Sequence, residues 1–173
     1  MDDIIIVKYD PAWPAKFAGE AQKLREVLGT NLAAIEHAGS TAVPGLSAKP
    51  IIDILVGVHS LEAAKASIPE IEALGYGYWR EDTIPRRLYF VKGLPPNGPR
   101  SHHIHFVEIG TDFWRTHLLF RDILRADPNE AKRYEGLKRL LAAQFTDDRE
   151  AYTDGKAEYI QAVLEKAAIN ATE

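Results

Sequence analysis

The run PIIDILV, residues 50–56, puts one carboxylate, Asp53, into a segment otherwise built for a core. A charge in a covered strand is costly unless it is paired, hydrogen-bonded or bound to a metal. Upstream lies the turn Gly39-Ser40. A glycine lets the backbone approach a ligand closely, and a serine beside it at a helix start offers its hydroxyl while nearby N–H groups point at an anion. A Gly-Ser turn followed by an acid on the next strand therefore suits a phosphate chain held beside a metal-binding carboxylate. The structural alternatives are an ion pair for Asp53, with Lys49 or an arginine, and a simple turn cap for Ser40.

Two histidines offer what one acid lacks. In HHIHFVE, residues 102–108, His103 and His105 share a strand face opposite Ile104 and Phe106. With Asp53 they form a candidate catalytic and metal-binding set. A carboxylate with imidazoles suits zinc or manganese better than magnesium, so the candidate cofactor is one divalent ion of these three. The same imidazoles could donate to phosphate, exchange protons near neutral pH, or be strand histidines with no ligand. Gly39, Ser40, Lys49 and Arg87 are the candidate phosphate- or nucleotide-binding residues. Lys49 either neutralises Asp53 or reaches a phosphate. Arg86 and Arg87 open a strand, so one of them faces the site, and Arg87 is chosen. His37 reads as a packing residue and Arg121-Asp122 as an inter-element ion pair, while the facing of Glu81 and Glu108 stays open.

These residues need a scaffold. Ile4–Val7 is a strand candidate. A helix with Pro14 in its first turn carries Trp13, Phe17, Leu24, Val27 and Leu28 on one stripe and stops at Gly29. Strands follow at Leu32–His37 and Ile51–Val58, the second apolar on both faces and so central and covered. Between them, residues 41–46 have room for one helical turn. Ser60 caps a helix reaching Leu74 that Pro69 kinks or divides. Strands are expected at Tyr76–Glu81, Arg87–Lys92 and His103–Ile109, the last two joined by a Pro-rich hairpin loop over 93–99. Three helices complete the chain: one from Thr111 or Asp112 to Asp127-Pro128, one over Asn129–Phe145, and one from about Asp147 carrying Tyr152, Tyr159, Ile160, Val163 and Leu164. The expectation is a single domain over 1–173, with an α/β part over 1–110 and a helical extension over 111–173 packed on it.

Bulk properties narrow the classes. The 173 residues are 46% hydrophobic and 27% charged, an ordinary globular composition, and contain no cysteine. Disulfides, thiol nucleophiles and Cys-type zinc sites are excluded. A net charge of −4 argues against dedicated nucleic-acid binding. The N-terminus does not read as a signal peptide and no run is long enough for a membrane span, so a cytoplasmic protein is expected. Between Arg80 and His105 the chain carries Arg80, Arg86, Arg87, Lys92, Arg100, His102, His103 and His105 against Glu81 and Asp82. That cluster is either a seat for an anionic small molecule or a solvated basic face.

The run EHAGSTAVPGLSAKPIIDILV resembles the signature of the GrpB-like proteins, a branch of the nucleotidyltransferase superfamily. The resemblance extends through YDPAWPAKF, GYGYWRED, RRLYFVKG, SHHIHFVEIG, FWRTHLLFRDILRADP, YEGLKRLLA and DDREAYTDGKAEYI, nearly the whole chain. It implies an α/β (α+β) fold, a nucleotidyltransferase-like mixed β-sheet flanked by helices with a C-terminal helical extension. Active members of that superfamily carry a second acid two residues after the first, on the same strand face, for a second metal. Here that position is Leu55. The resemblance thus implies a nucleotide-binding protein, a metal-dependent nucleotidyl- or phosphotransferase acting on a nucleotide or other phosphorylated small molecule. The alternative is a non-catalytic accessory or regulatory module with a protein partner. GrpB-like domains also resemble an extension fused to some dephospho-coenzyme A kinases, which suits an accessory role. Hydrolysis at a single Asp/His metal site is a third reading, resting on residue types alone.

Overall fold

Helix α1 (Trp13–Leu28) begins with Pro14 in its first turn and ends where Gly29 takes φ +51° and donates its N–H to the Arg25 carbonyl. The structure, a computed structural model, describes residues 4–93 and 98–170. The order continues β1 (Leu32–Ala38), β2 (Ile52–Val58), α2 (Leu61–Ala64), α3 (Ile68–Ala73), β3 (Tyr76–Tyr78), β4 (Leu88–Lys92) and β5 (His102–Glu108). It closes with α4 (Asp112–Ala126), α5 (Pro128–Gln144), α6 (Arg149–Asp154) and α7 (Ala157–Asn170).

The strands form one five-stranded sheet in the order β1-β2-β5-β4-β3. Only β2 and β5 run parallel; the other neighbours are antiparallel. This is a mixed sheet flanked by helices. One face buries Ile52, Ile54, Val56, Val58, Ile104 and Phe106 against Trp13, Leu24 and Leu28 of α1. The opposite face packs Ala38, Leu55 and Val107 against Phe113, Trp114 and Leu118 of α4. A Cβ on Gly57 would lie 2.8 Å from the Trp114 ring, so glycine there lets α4 sit down on β2. Farther out, Leu124, Tyr134, Tyr159 and Ile160 join α4, α5 and α7.

Several boundaries differ from the sequence expectations. Ile4–Val7 forms no strand: Val7 makes one two-bond bridge to Ala48, and Ile4 docks on Leu141 and Tyr152. The segment gains more from burying Ile4 among the C-terminal helices than from a further edge. The expected turn after Gly39 is a three-residue 3-10 turn, Ser40–Ala42. The division before Pro69 falls at a 3-10 turn, Lys65–Ser67, so that the proline sits in the first turn of α3, where its missing N–H costs nothing. The third strand stops at Tyr78, and the fourth begins at Leu88 rather than Arg87, because Arg86 takes φ +59° just before it. The last expected helix is two, α6 and α7, parted around Gly155, where a Cβ would lie 2.6 Å from Leu141. The β4–β5 connection joins antiparallel neighbours as a hairpin does; its residues 94–97 lie outside the described residues.

Candidate functional site

Register builds the site. Asp53 on β2 pairs with Ala38 on β1 and with His103 on β5, and Leu55 pairs with His105, which in turn lies opposite Tyr89 of β4. Side chains two apart share a strand face, so Asp53, His103, His105 and Tyr89 all project toward the helices α4–α7. His37, paired with Ile54, points the other way, stacked on Phe17 and bonded to the Thr41 hydroxyl. It is a packing residue, as its sequence context suggested.

The histidines, not Lys49, satisfy the acid. His103 Nδ1 lies 3.2 Å from Asp53 Oδ1, and His105 Nε2 lies 3.8 Å from the same oxygen. Burial opposes the charge on Asp53, but the two imidazoles outweigh it and hold the carboxyl well below the usual carboxylate range. Burial lowers the His103 pKa more than Asp53 raises it, so the ring favours its neutral form. A neutral His103 donates through Nδ1, which leaves its buried Nε2 without a partner.

Gly39 shapes the other side of the carboxylate. It adopts φ +66° and ψ −172°, a region reserved for glycine, and an added Cβ would lie 2.3 Å from Asp53 Oδ2. No other residue type leaves the acid uncovered toward the Gly39-Ser40 turn.

The cleft above Asp53 has a volume of about 440 Å³. Gly39, Ser40, Lys49, Arg87, His103 and His105 all line it, so every residue selected from the sequence comes together here. Arg87 forms a two-pronged pair with Asp82, at 2.7 and 2.5 Å, and also approaches His105 Nδ1 at 3.2 Å. Its charge is therefore largely answered within the protein. Arg86 leaves the cleft and pairs with Glu108 at 2.6 Å. The basic cluster between Arg80 and His105 is split by the sheet: Lys92 bonds Glu20 on the α1 side.

What the sequence reading missed comes from the C-terminal helices. Tyr134 and Lys138 of α5, with Tyr152 of α6 and Lys156 just beyond it, also line the cleft. Lys49 and Lys156 hold their ammonium groups 4.5 and 4.4 Å from the centre of one ring, Tyr152. Lys138 stands 5.1 Å from the Tyr134 ring and donates to the Ser47 carbonyl. Burial, with repulsion from neighbouring cations, lowers Lys49 and Lys138 to about 7, and burial lowers Lys156 to about 8. Among the described residues no carboxylate forms an ion pair with any of the three. One signal was available: the pattern Tyr-x-x-x-Lys occurs as YEGLK and again as YTDGK.

Asp53, His103 and His105 offer ligand atoms that all lie within 4.8 Å of one another. Neighbouring ligands around a tetrahedral zinc with bonds of about 2.0–2.1 Å stand about 3.3 Å apart, so this donor set fits one ion. It does not fit a magnesium pair, because Leu55 occupies the second-acid position and is wholly buried. Arg87 qualifies the fit. An arginine can only donate, so His105 accepts on Nδ1 and carries its proton on Nε2, toward Asp53. An ion on His105 Nε2 would have to displace that proton and the Arg87 contact.

Comparison with known proteins identifies the family and the fold. A model of the family described as GrpB protein matches residues 3–166. A UPF0157 protein of Pseudomonas aeruginosa is 45% identical over 167 residues, covering 96% of this chain and 68% of its own length. The dephospho-CoA kinase of Mycolicibacterium paratuberculosis is 30% identical over 184 residues; the match covers 94% of this chain and 45% of that kinase. Among solved structures, GrpB from Enterococcus faecalis superposes with a TM-score of 0.86 at 38% identity, covering 98% of this chain and 100% of that one. The poly(U) polymerase Cid1 superposes with a TM-score of 0.51 at 15% identity over 73% of this chain and 40% of its own. The fold is thus nucleotidyltransferase-like, and no helix among the described residues is long and apolar enough to cross a membrane.

Proposed function

We propose that this chain, which belongs to the GrpB family, binds the phosphate chain of a nucleotide or another phosphorylated small molecule and transfers a nucleotidyl or phosphoryl group from it. The observation that carries this reading is the charge imbalance of the cleft. Lys49, Lys138 and Lys156 converge around a single carboxylate that two histidines already satisfy. Three partly desolvated ammonium groups with no ion-pair partner among the described residues are costly, and an anion entering among them recovers that cost as charge-assisted hydrogen bonds.

In this reading the lysines grip the phosphates, and the Gly39-Ser40 turn lets the backbone come close to them. Tyr152, with a lysine over its ring on each of two contacts, fixes the spacing of Lys49 and Lys156. Asp53 and His103, with His105 once released from Arg87, would hold one divalent ion. When bound, such an ion supplies Lewis-acid polarisation of a phosphoryl oxygen. A second reading, a non-catalytic module that binds the same ligands without turnover, is favoured by Leu55.

The test is a thermal-shift panel of nucleotides and inorganic tripolyphosphate, each alone and with manganese, zinc or magnesium. Nucleotides head the panel because Cid1, which shares the fold, was solved with magnesium and 3′-dATP bound. A ligand at about 100 times its Kd adds about 2.7 kcal/mol, or roughly 5–10 °C for a chain of this size. A shift lost in Lys138→Met and Lys156→Met places the phosphates among the lysines. A metal-dependent part of it lost in Asp53→Asn places the ion at the acid. No shift with any anion rejects the reading, and a shift without product from any nucleotide leaves the accessory module.

A further inference from the structure

A second cavity, of about 150 Å³, opens beside the cleft between α4 and α7. The two share Gly39, Ser40, His117 and Tyr134 as a common wall. Beyond that wall the small cavity is apolar, lined by Phe120, Leu124, Ile160 and Leu164. Its polar rim is largely occupied already: Arg121 binds Glu36 and the His37 carbonyl, and the Thr116 hydroxyl binds the Asp112 carbonyl. An apolar cavity of about this volume holds one benzene-sized ring.

His117 stands at the junction. Its ring is stacked on Phe113, with centroids 3.8 Å apart, and its Nδ1 lies 2.8 Å from the Phe113 carbonyl. A carbonyl can only accept, so Nδ1 carries the proton and the neutral ring keeps a bare lone pair on Nε2. Phosphates have their place among the lysines, and metal-ligating chemistry belongs to Asp53, His103 and His105. A ring-sized apolar pocket with an oriented proton acceptor at its mouth is what the second reactant of a transfer needs.

We propose that this pocket is the acceptor subsite, taking a small alcohol with a single aromatic or alicyclic ring, and that His117 is the base for its hydroxyl. The inference rests on the transferase reading above. In the step, the acceptor oxygen forms a bond to phosphorus of the phosphorylated donor. The bond from phosphorus to the leaving phosphate oxygen breaks, with its electron pair staying on that oxygen, and the hydroxyl proton passes to His117 Nε2.

The experiment uses the full chain, labelled with 15N, and titrates benzyl alcohol, adenosine and tripolyphosphate separately by NMR. The free protein should show His117 in the Nδ1–H tautomer. Benzyl alcohol should shift His117 and residues of α4 and α7. Leu164→Trp, which fills the pocket, should weaken benzyl alcohol at least tenfold while changing tripolyphosphate affinity less than twofold. Ile160→Trp is the second filling variant if the first does not fold. An Nε2–H tautomer, or no response to benzyl alcohol, overturns the proposal. Displacement of benzyl alcohol by adenosine also overturns it, by giving the pocket to the base of the donor. If tripolyphosphate fails to bind, the transferase reading falls and the acceptor role with it; if only benzyl alcohol fails, that reading stands and the pocket is not its acceptor site.

Discussion

Under α1 the sheet presents Ile52, Ile54, Val56 and Val58 of β2 with Ile104 and Phe106 of β5, all 1% exposed or less. Under α4–α7 the same two strands present Asp53, Leu55, His103 and His105. Alternation puts the two sets one residue apart, so a single pair of strands serves a dry core on one side and a charged cleft on the other. The dry face is held chiefly by non-directional burial, and its few polar groups, such as His37 and Glu20, are hydrogen-bonded. The cleft face is held by a few directed contacts and gathers three lysines that form no ion pair among the described residues. The apolar face positions the cleft.

The sharpest way to break that contrast is to mutate β2 on each side. Ile54→Ala removes a fully buried side chain from the α1 face and should cost about 2–5 kcal/mol by urea unfolding. Binding of tripolyphosphate by the folded fraction should stay within twofold. A loss of binding out of proportion to the stability change would mean that the core face does not act as an independent platform.

Gly39→Ala comes next. Its Cβ would meet Asp53 Oδ2 and its φ of +66° is strained for alanine, so about 1–3 kcal/mol should be lost. Unlike Ile54→Ala, it should also abolish zinc or manganese binding measured by calorimetry, because the acid must move. Metal binding that survives would separate the ion site from Asp53.

The lysines give the cleft side its own pH signature, between about 7 and 10.5. Burial and neighbouring cations lower Lys49 and Lys138 from the ordinary 10.5 to about 7 in the folded chain. The folded state therefore binds fewer protons than the unfolded one between those values, and stability rises with pH across that window. Anion binding runs the opposite way, since it needs the ammonium forms and weakens as the pH climbs above about 8. Lys138→Met should flatten the first trend and weaken tripolyphosphate about tenfold, or about 1.4 kcal/mol. Proton uptake on binding, read as a buffer-dependent enthalpy at pH 8, checks the sign.

The same contrast explains what could be read in advance. The α1 face was legible because an apolar run on both faces of Ile51–Val58 and a period of 3.6 in Trp13–Leu28 record burial directly. Asp53 was legible because a charge stands out in an apolar strand, and His103 and His105 because two titratable groups share one strand face. The other half of the cleft was not. Tyr134 and Tyr152 fit an apolar helical stripe, and the Tyr-x-x-x-Lys spacing that puts Lys138 and Lys156 beside them is also common in ordinary amphipathic helices. Only the docking of α5 and α6 beside Lys49 turns them inward. The same docking drew Ile4 away from a strand, and it depends on contacts far apart in sequence that no local pattern encodes.

The smallest effect belongs to Arg86, the neighbour of the cleft residue Arg87. Its guanidinium pairs with Glu108 at 2.6 Å, but the side chain is 74% exposed, so screening leaves the pair only a small contribution. Arg86→Ala keeps the left-handed backbone and loses only that pair. Stability should fall by no more than this, and metal and tripolyphosphate binding should be unchanged. Adjacent arginines would then differ because one falls on each side of the sheet: Arg87, only 10% exposed, fixes Asp82 and the His105 tautomer, while Arg86 answers an acid that shares a face with the core. A change in anion affinity in Arg86→Ala would show that the sheet does not insulate its two faces, and that the charge of the whole edge, not the cleft alone, draws the ligand in.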